Sequence, residues 1–191
     1  MIKLLHAADL HLDSRFAGLA PDRAAERRAE QRGLLQRLAR ECQDRACDLL
    51  LLAGDLFDGA HVYRDTLEAL MEALEACRVP VFIAPGNHDW LSPGSPYRTE
   101  RWPDNVHIFT EQTVRSVTLP ELGCRVYGAG FRQEHCEELL EGFAAPDDGL
   151  FQLMVLHGDA TGGKDYNPVT KEQIEASNLD YLALGHIHKR G

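Results

Sequence analysis

The sequence predicts an α/β domain built in layers, with one mixed β-sheet or a pair of sheets covered by helices. Three observations lead to this prediction. Short apolar runs recur along the chain, apolar stripes at helical spacing lie between several of them, and no internal repeat or linker interrupts the 191 residues. A chain of this length can bury a substantial core but cannot form two large domains. We therefore expect one continuous domain over residues 1–191.

Five apolar runs have the length of a buried strand rather than of a helix. They cover residues 2–8, 49–53, 79–84, 151–156 and 181–184. Three shorter segments, residues 106–108, 113–119 and 125–128, alternate with turns such as Glu121-Leu122-Gly123. This alternation predicts a meander of short strands between the third and the fourth apolar run.

Two helices are predicted from apolar residues that recur at helical spacing. One stripe is Leu34, Leu35, Leu38 and Cys42, and the other is Leu67, Leu70, Met71 and Leu74, after the cap-like pair Asp65-Thr66. The first helix lies in the Arg-rich stretch 23–45, which could also be a DNA-binding helix. Acidic residues are interspersed there, so a solvated helix with i,i+4 ion pairs is the favoured interpretation.

The composition excludes several classes of protein. A net charge of −10 argues against a generic nucleic-acid coat, because phosphate backbones are normally bound by Lys and Arg. The five cysteines form no C-x-x-C pair, which predicts ordinary buried thiols. We find neither a signal peptide nor an apolar stretch of the roughly 20 residues that span a membrane. We therefore expect a cytoplasmic protein without a membrane partner.

Potential metal ligands follow all five apolar runs, where each predicted strand should end. The carboxyl ends of neighbouring strands lie side by side in α/β sheets, so these residues should converge on one crevice. In an extended segment, residues i and i+2 point the same way, which would pair Asp9 with His11 and His186 with His188. The full candidate set is Asp9, His11, Asp55, Asn87, His157, His186 and His188.

The chemistry of these side chains narrows the metal. Imidazoles, carboxylates and one amide without a thiolate suit Mn²⁺, Fe or Zn²⁺ better than a structural zinc or a calcium cage. Seven ligands are too many for one tetrahedral ion and fit two ions that share a bridging carboxylate. Two metals about 3.5–4 Å apart are a standard device for the hydrolysis of phosphate esters. Such cations would also supply local positive charge to an acidic protein.

Each piece of this pattern has an ordinary structural explanation. A single Asp-x-His or His-x-His seldom binds metal, and Asn87-His88-Asp89 alone could be a turn. Their joint placement after five apolar runs is what favours the metal site. His6, His61, His107 and His135 lack this placement, and we interpret them as surface or core histidines.

The motifs resemble those of the calcineurin-like metallophosphoesterases: Asp9-x-His11, Gly54-Asp55, Gly86-Asn87-His88-Asp89, His157-Gly158 and Gly185-His186-x-His188. Within that superfamily, HAADLHLDSRFAGL, AGDLFD and LGHIHKRG resemble DNA repair exonucleases of the SbcD and YhaO type. These exonucleases are relatives of the nuclease subunit that pairs with a Rad50-like ATPase. The resemblance covers essentially the whole chain and implies a four-layer sandwich of two mixed β-sheets flanked by helices.

The resemblance also implies roles for individual residues. One metal, usually Mn²⁺, would be held by Asp9, His11, Asp55 and His188, and the other by Asp55, Asn87, His157 and His186. His88 would contact the substrate phosphate or protonate the leaving oxygen, and Asp58 matches the carboxylate that orients such a histidine. The implied partners are DNA, a Rad50-like (SbcC-like) ATPase and a second copy of the chain.

The sequence departs from the exonuclease pattern in one respect. Exonucleases of this type continue past the Gly-His-x-His motif with closing strands and a capping domain that helps to select DNA, whereas the present sequence stops at Gly191. The chain is thus expected to be either a catalytic domain truncated at its C-terminal end or a minimal form of the protein, and in both cases to lack the cap.

Three functions remain as alternatives. The favoured one is a Mn-dependent DNA exonuclease acting in DNA repair, and the second is a phosphatase or phosphodiesterase with a small-molecule substrate. A non-enzymatic scaffold should have lost ligands, whereas all seven and His88 are present. A TIM-barrel metallohydrolase would need more than 191 residues for eight βα units.

Overall fold

A computed structural model describes residues 1–59, 61–136, 138–162 and 166–188 of the chain. The last three residues of the motif LGHIHKRG lie outside this described part. Eight strands are described: β1 (Leu4–Ala7), β2 (Leu49–Leu52), β3 (Val81–Ile83), β4 (Val106–Ile108), β5 (Arg115–Leu119), β6 (Cys124–Gly128), β7 (Phe151–His157) and β8 (Tyr181–Gly185). The helices are α1 (Pro21–Asp44), α2 (Arg64–Cys77), α3 (Pro96–Thr99) and α4 (Lys171–Ala176).

The strands form two four-stranded sheets, in the orders β1-β2-β3-β4 and β5-β6-β7-β8. All described pairings of the first sheet are parallel, whereas the second combines an antiparallel β5–β6 pair with parallel β6–β7 and β7–β8 pairs. The predicted pair of sheets is confirmed. Only the second sheet is mixed, because the crossovers through α1 and α2 keep the first sheet parallel.

The predicted meander is wrong for β4. This strand does not join the hairpin of β5 and β6 but pairs in parallel with β3, with Val81 opposite Val106 and Ile83 opposite Ile108. A strand of three residues is too short for its sequence pattern to identify the partner strand. Asn105 fixes the entry to β4, because its side-chain amide donates to the carbonyls of Leu74 and Val79, each at 2.9 Å.

The two sheets stack with an apolar layer between them. Alternate residues of β2 face opposite sides of the first sheet: Leu50 and Leu52 pack towards α1 and α2, and Leu49 and Leu51 pack towards the second sheet. A third apolar cluster, which includes Met154, covers the outer face of the second sheet. The layers therefore run from helices through two sheets to an outer layer, as the four-layer prediction requires.

The start of α2 differs from the prediction. Asp65 and Thr66 do not cap the helix but lie inside its first turn, and Tyr63 is the N-cap without a side-chain cap bond. A buried carboxylate from the loop after β1 holds this end of the helix in place instead. Asp13 accepts a bond from the backbone N–H of Tyr63 at 2.8 Å and from the Thr66 hydroxyl at 2.7 Å.

None of the described helices is both long enough and apolar enough to cross a membrane. The five cysteines, all in the described part of the chain, are buried and form no disulfide, as the sequence predicted for ordinary core thiols.

Candidate metal centre

The seven candidate ligands lie at or just beyond the carboxyl ends of five strands, at one edge of the two sheets. Asp9 and His11 follow β1, Asp55 follows β2, Asn87 follows β3, His157 ends β7, and His186 and His188 follow β8. Strands of both sheets therefore contribute to one site. This is the convergence expected where parallel strands end together.

The first ligand cluster consists of Asp9, His11 and His188, whose ligand atoms lie within 4.8 Å of one another. The Nε2 atoms of His11 and His188 are 3.2 Å apart, and Nε2 of His188 lies 3.7 Å from Oδ1 of Asp9. The Asp9 carboxylate also accepts the backbone N–H of His186, at 2.9 and 3.1 Å. The end of β8 is thereby fixed to the end of β1.

The second ligand cluster consists of Asp55, His157 and His186, again within 4.8 Å. Asn87 lies in the middle of it, because its side-chain oxygen is 2.9 Å from Nε2 of His157 and 3.2 Å from Nδ1 of His186. His157 is fully buried, and the ring of Phe131 packs edge-on against it. The side of this cluster at His157 is therefore shielded from solvent and has a low local dielectric constant.

Asp55 lies between the two clusters. Its Oδ2 is 3.3 Å from Nε2 of His157 and 3.9 Å from Nε2 of His11, and its Oδ1 accepts the backbone N–H of His88 at 2.9 Å. Burial acts to raise the pKa of Asp55, but the bonds and charge of His157 and His88 outweigh it and lower the pKa. Asp55 is therefore held as a carboxylate where it can reach both clusters.

The hydrogen bonds of the ligand histidines fit a cation. Nδ1 of His157 donates to the carbonyl of Ala53 at 2.9 Å, so in the neutral ring Nε2 carries a lone pair that faces the oxygens of Asn87 and Asp55. Three acceptors facing one another repel unless a proton or a metal lies between them. Burial acts to lower the pKa of His157, and the neighbouring Asp55 raises it by favouring such a positive charge.

A third group of side chains adjoins the first cluster and contains both predicted catalytic residues. The potential ligand atoms of Asp58, His11 and His88 lie within 4.8 Å of one another. The rings of His11 and His88 meet edge-on, with their centroids 4.8 Å apart. Oδ1 of Asp58 accepts a bond from Nδ1 of His11 at 3.0 Å but lies 3.5 Å from Nδ1 of His88. The shorter contact is thus with a ligand, in the manner of a carboxylate that orients a metal-binding imidazole.

The backbone around the ligands is strained, which the residue spacing did not indicate. Asp9, His11, Asp55 and His186 have positive φ angles of 54°, 43°, 51° and 97°. Asp9 and His11 therefore come together through left-handed turns and not through the extended i and i+2 geometry, which is wrong for this pair. Non-glycine residues seldom adopt such angles, and they concentrate at functional sites.

Two residues that support the site were not among the predicted ones. The carboxylate of Asp89, 6% exposed, accepts the backbone N–H groups of four residues on two ligand loops: Asp55, Leu56, Phe57 and Gly86. The hydroxyl of Tyr97 donates a fifth bond to Asp89 at 2.6 Å. Asp89 belongs to the Gly-Asn-His-Asp motif, whereas nothing in the loop-like segment 91–104 singles out Tyr97.

Four histidines have no ligand position in the sequence pattern, and none of them belongs to the three ligand groups of the described chain. His6 contacts the Tyr181 hydroxyl at 3.1 Å, and its pKa is lowered by burial. His107 packs edge-on against Phe109. His61 and His135 are exposed, and His61 lines a cavity of about 450 Å³ that opens beside Asp58.

The chain belongs to the calcineurin-like phosphoesterase family, whose sequence model matches residues 2–190. Membership of that family supports metal-dependent hydrolysis of phosphoesters, and the family uses divalent metal ions. The fold of two stacked sheets with flanking helices is consistent with this family.

Two curated relatives cover nearly the whole chain. The uncharacterized metallophosphoesterase YhaO of Bacillus subtilis (strain 168) is 36% identical over 209 residues, which are 99% of this chain and 49% of the relative. The SbcD subunit of the nuclease SbcCD of Staphylococcus epidermidis (strain ATCC 12228 / FDA PCI 1200) is 23% identical over 223 residues, 98% of this chain and 57% of the relative. The chain thus spans about half the length of the relatives it matches.

Proposed function

We propose that residues 1–191 form the catalytic domain of a Mn²⁺-dependent nuclease that hydrolyses DNA phosphodiesters, as an exonuclease in DNA repair. One observation carries the proposal: seven imidazole, carboxylate and amide side chains from both sheets converge into two clusters joined by Asp55. The resemblance of the motifs to SbcD and YhaO supports DNA as the substrate.

In this proposal the two clusters hold two divalent cations. Asp9, His11 and His188 would hold the first, Asn87, His157 and His186 would hold the second, and Asp55 lies where it could contribute to both. When bound, the cations supply Lewis acidity and positive charge for the phosphate and its transition state. Without cations, the carboxylates of Asp9, Asp55 and Asp58 would repel an anionic substrate.

The protein's own groups then position the substrate and move a proton. The backbone N–H of His88 is fixed by Asp55 at 2.9 Å, and the His88 side chain is 44% exposed beside the first cluster. Its Nδ1 is the ring nitrogen nearer to Asp58, which leaves Nε2 to protonate the leaving oxygen as a general acid. The adjoining 450 Å³ cavity gives the leaving group a place to lie.

A small-molecule phosphatase is the second candidate. The same ligand clusters support both reactions, and the open site does not by itself require a polymer. For the nuclease, we also propose a cytoplasmic location and assembly with a Rad50-like ATPase and a second copy of the chain. The two partners are proposed from the resemblance to exonucleases of the SbcD type.

The test is hydrolysis of bis-p-nitrophenyl phosphate and p-nitrophenyl phosphate by the purified chain, with and without Mn²⁺. Fluorescent single- and double-stranded DNA would be cleaved in parallel. We expect Mn²⁺-dependent cleavage of the diester and of DNA. Preference for the monoester with intact DNA would replace the nuclease with the small-molecule phosphatase.

A further inference from the structure

Two aromatic side chains outside the ligand set stand beside the second ligand cluster. The rings of Tyr166 and His135 are stacked, with centroids 5.1 Å apart and an interplanar angle of 19°. The Tyr166 ring also lies 5.1 Å from the ring of His186, tilted by 47°. Tyr166 is half-buried and His135 is exposed. An aromatic surface therefore adjoins the place where the substrate phosphate would be held, with one side open to solvent.

The residue after Tyr166, Asn167, holds this aromatic surface in place. Asn167 is fully buried, and its side chain donates to the carbonyl of His157 at 2.8 Å and accepts the N–H of Leu139 at 2.7 Å. Its backbone N–H donates to the carbonyl of Cys136 at 2.8 Å, next to His135. The segments that carry the two rings are thus joined to each other and to a ligand strand.

The backbone does not by itself explain a tyrosine at position 166. Tyr166 and Asn167 have φ angles of 58° and 57°. Asparagine tolerates this left-handed conformation, whereas a bulky aromatic residue adopts it at a cost. Glycine or asparagine would form the same turn with less strain. The Tyr166 ring therefore has to contribute something other than turn geometry.

We propose that Tyr166 and His135 form a stacking platform for an unpaired base of a nucleic-acid strand whose phosphate lies at the ligand clusters. This proposal rests on the phosphoesterase function proposed above and adds a subsite for a base beside the site for the phosphate. Base–aromatic stacking is tolerant of sequence because every base has a π face. Such a platform suits a protein of net charge −10, in which 30 Asp and Glu outnumber 20 Lys and Arg and disfavour general binding of a phosphate backbone.

A binding measurement tests the platform without turnover. The full chain is titrated with a single-stranded phosphorothioate oligonucleotide that carries 2-aminopurine, in Ca²⁺, and the fluorescence quenching that accompanies stacking is recorded. We expect quenching by the native chain and by Tyr166→Phe, and affinity weaker by about tenfold or more in Tyr166→Ala and His135→Ala. Phe151→Ala, an exposed aromatic at the opposite end of β7, is the matched control and should leave affinity unchanged.

A kinetic comparison separates the platform from a purely structural role of Tyr166. Two diesters that differ in one group are hydrolysed in Mn²⁺: thymidine 5′-(p-nitrophenyl phosphate), which carries a base, and methyl p-nitrophenyl phosphate, which does not. We expect Tyr166→Ala to reduce the preference for the thymidine ester about tenfold, mainly through KM, and Tyr166→Phe to restore it.

Equal slowing of both diesters by Tyr166→Ala would show that Tyr166 only holds the His186 ring, and the platform would be abandoned. Absence of quenching with the native chain would likewise overturn it. If the native chain stacks the base but hydrolyses neither diester, the proposed phosphoesterase function fails while the base platform stands.

Discussion

The carboxylate of Asp55 lies between the two ligand clusters, so its loss should affect both proposed metals. The His88 ring meets the ring of the ligand His11 edge-on, and His88 is bound to Asp55 through its backbone N–H. Replacement of Asp55 and replacement of His88 should therefore have different effects, although both residues adjoin the position proposed for the substrate phosphate.

We predict that His88→Ala lowers kcat by about 10²- to 10⁴-fold, the usual contribution of a general acid, with both metals retained. Asp55→Asn should lose metal as well as activity, because it removes the bridging charge. Diester turnover and metal content after dialysis measure the two effects. Full activity of His88→Ala would exclude the general-acid role.

Asp58 can act through His11 or through His88, and its replacement distinguishes the two. Because its shorter bond is to Nδ1 of His11, we predict that Asp58→Asn weakens Mn²⁺ binding by about 10- to 100-fold. Calorimetric titration with Mn²⁺ measures this, and Asp65→Asn on exposed α2 surface is the control. Unchanged Mn²⁺ affinity with reduced kcat would assign Asp58 to His88 instead.

Tyr97 supports the site through the buried carboxylate of Asp89. We predict that Tyr97→Phe lowers the free energy of unfolding by about 1.5–3 kcal/mol, because a hydrogen bond to a buried charge is lost. It should also weaken Mn²⁺ binding, since Asp89 holds both ligand loops.

The matched control is Tyr127→Phe, whose hydroxyl donates to the neutral amide oxygen of Gln152 away from the site. It should cost about 1 kcal/mol and leave Mn²⁺ affinity unchanged. Denaturant titration and calorimetry would compare the two variants. Equal metal affinities in both would contradict a supporting role for Tyr97.

The seven candidate ligands could be predicted because residue type and position after an apolar run are both visible in the sequence. Tyr97 could not, because its function depends on a hydrogen bond made in the folded chain. The left-handed angles of Asp9 and His11 were also invisible, since they arise where the end of β1 pairs with the loop after β2. Extended spacing therefore indicated two residues that the fold does bring together, but through the wrong geometry.

Among the strands and helices, β2 packs against the layers on both sides of the first sheet. Its four leucines are fully buried and face two different apolar clusters in alternation. Such a run buried on both sides could be predicted as a strand from its length and composition. The partner of β4 could not, because three residues carry too little pattern to specify a sheet.

Gly185 at the end of β8 shows how closely the two sheets approach. A Cβ at this position would collide with the backbone oxygen of Ala53 at the end of β2. We predict that Gly185→Ala lowers the free energy of unfolding by about 1–3 kcal/mol through overpacking, and that it weakens metal binding by displacing His186.

Gly33→Ala is the opposite case within the same chain. Gly33 lies inside α1 with nothing near its Cβ position, so alanine should stabilise the helix by about 0.5–1 kcal/mol. Urea titration of both variants checks the pair. A neutral Gly185→Ala would show that the sheets can separate there without effect.

At the scale of the whole molecule, the ligand clusters join the two sheets. A cation bound to Asp55 and His157 links the first sheet to the second, so metal binding should add to global stability. We predict that EDTA lowers the thermal midpoint of unfolding by about 5–10 °C relative to saturating Mn²⁺. Calorimetric scans measure this shift in the thermal midpoint. Asp55→Asn lacks the carboxylate between the two clusters, so EDTA should change its midpoint little. An equal shift in Asp55→Asn would place the stabilising metal elsewhere.

The bond from the N–H of His186 to the carboxylate of Asp9 joins residues 177 positions apart in the chain. Contacts of such long range form late, because closing the intervening chain costs entropy that no local interaction returns. The first ligand cluster needs this contact, since His188 lies two residues further along the same segment. The proposed metal chemistry would therefore be unavailable to a partly folded chain, and affinity for the cation should arise only when folding is complete.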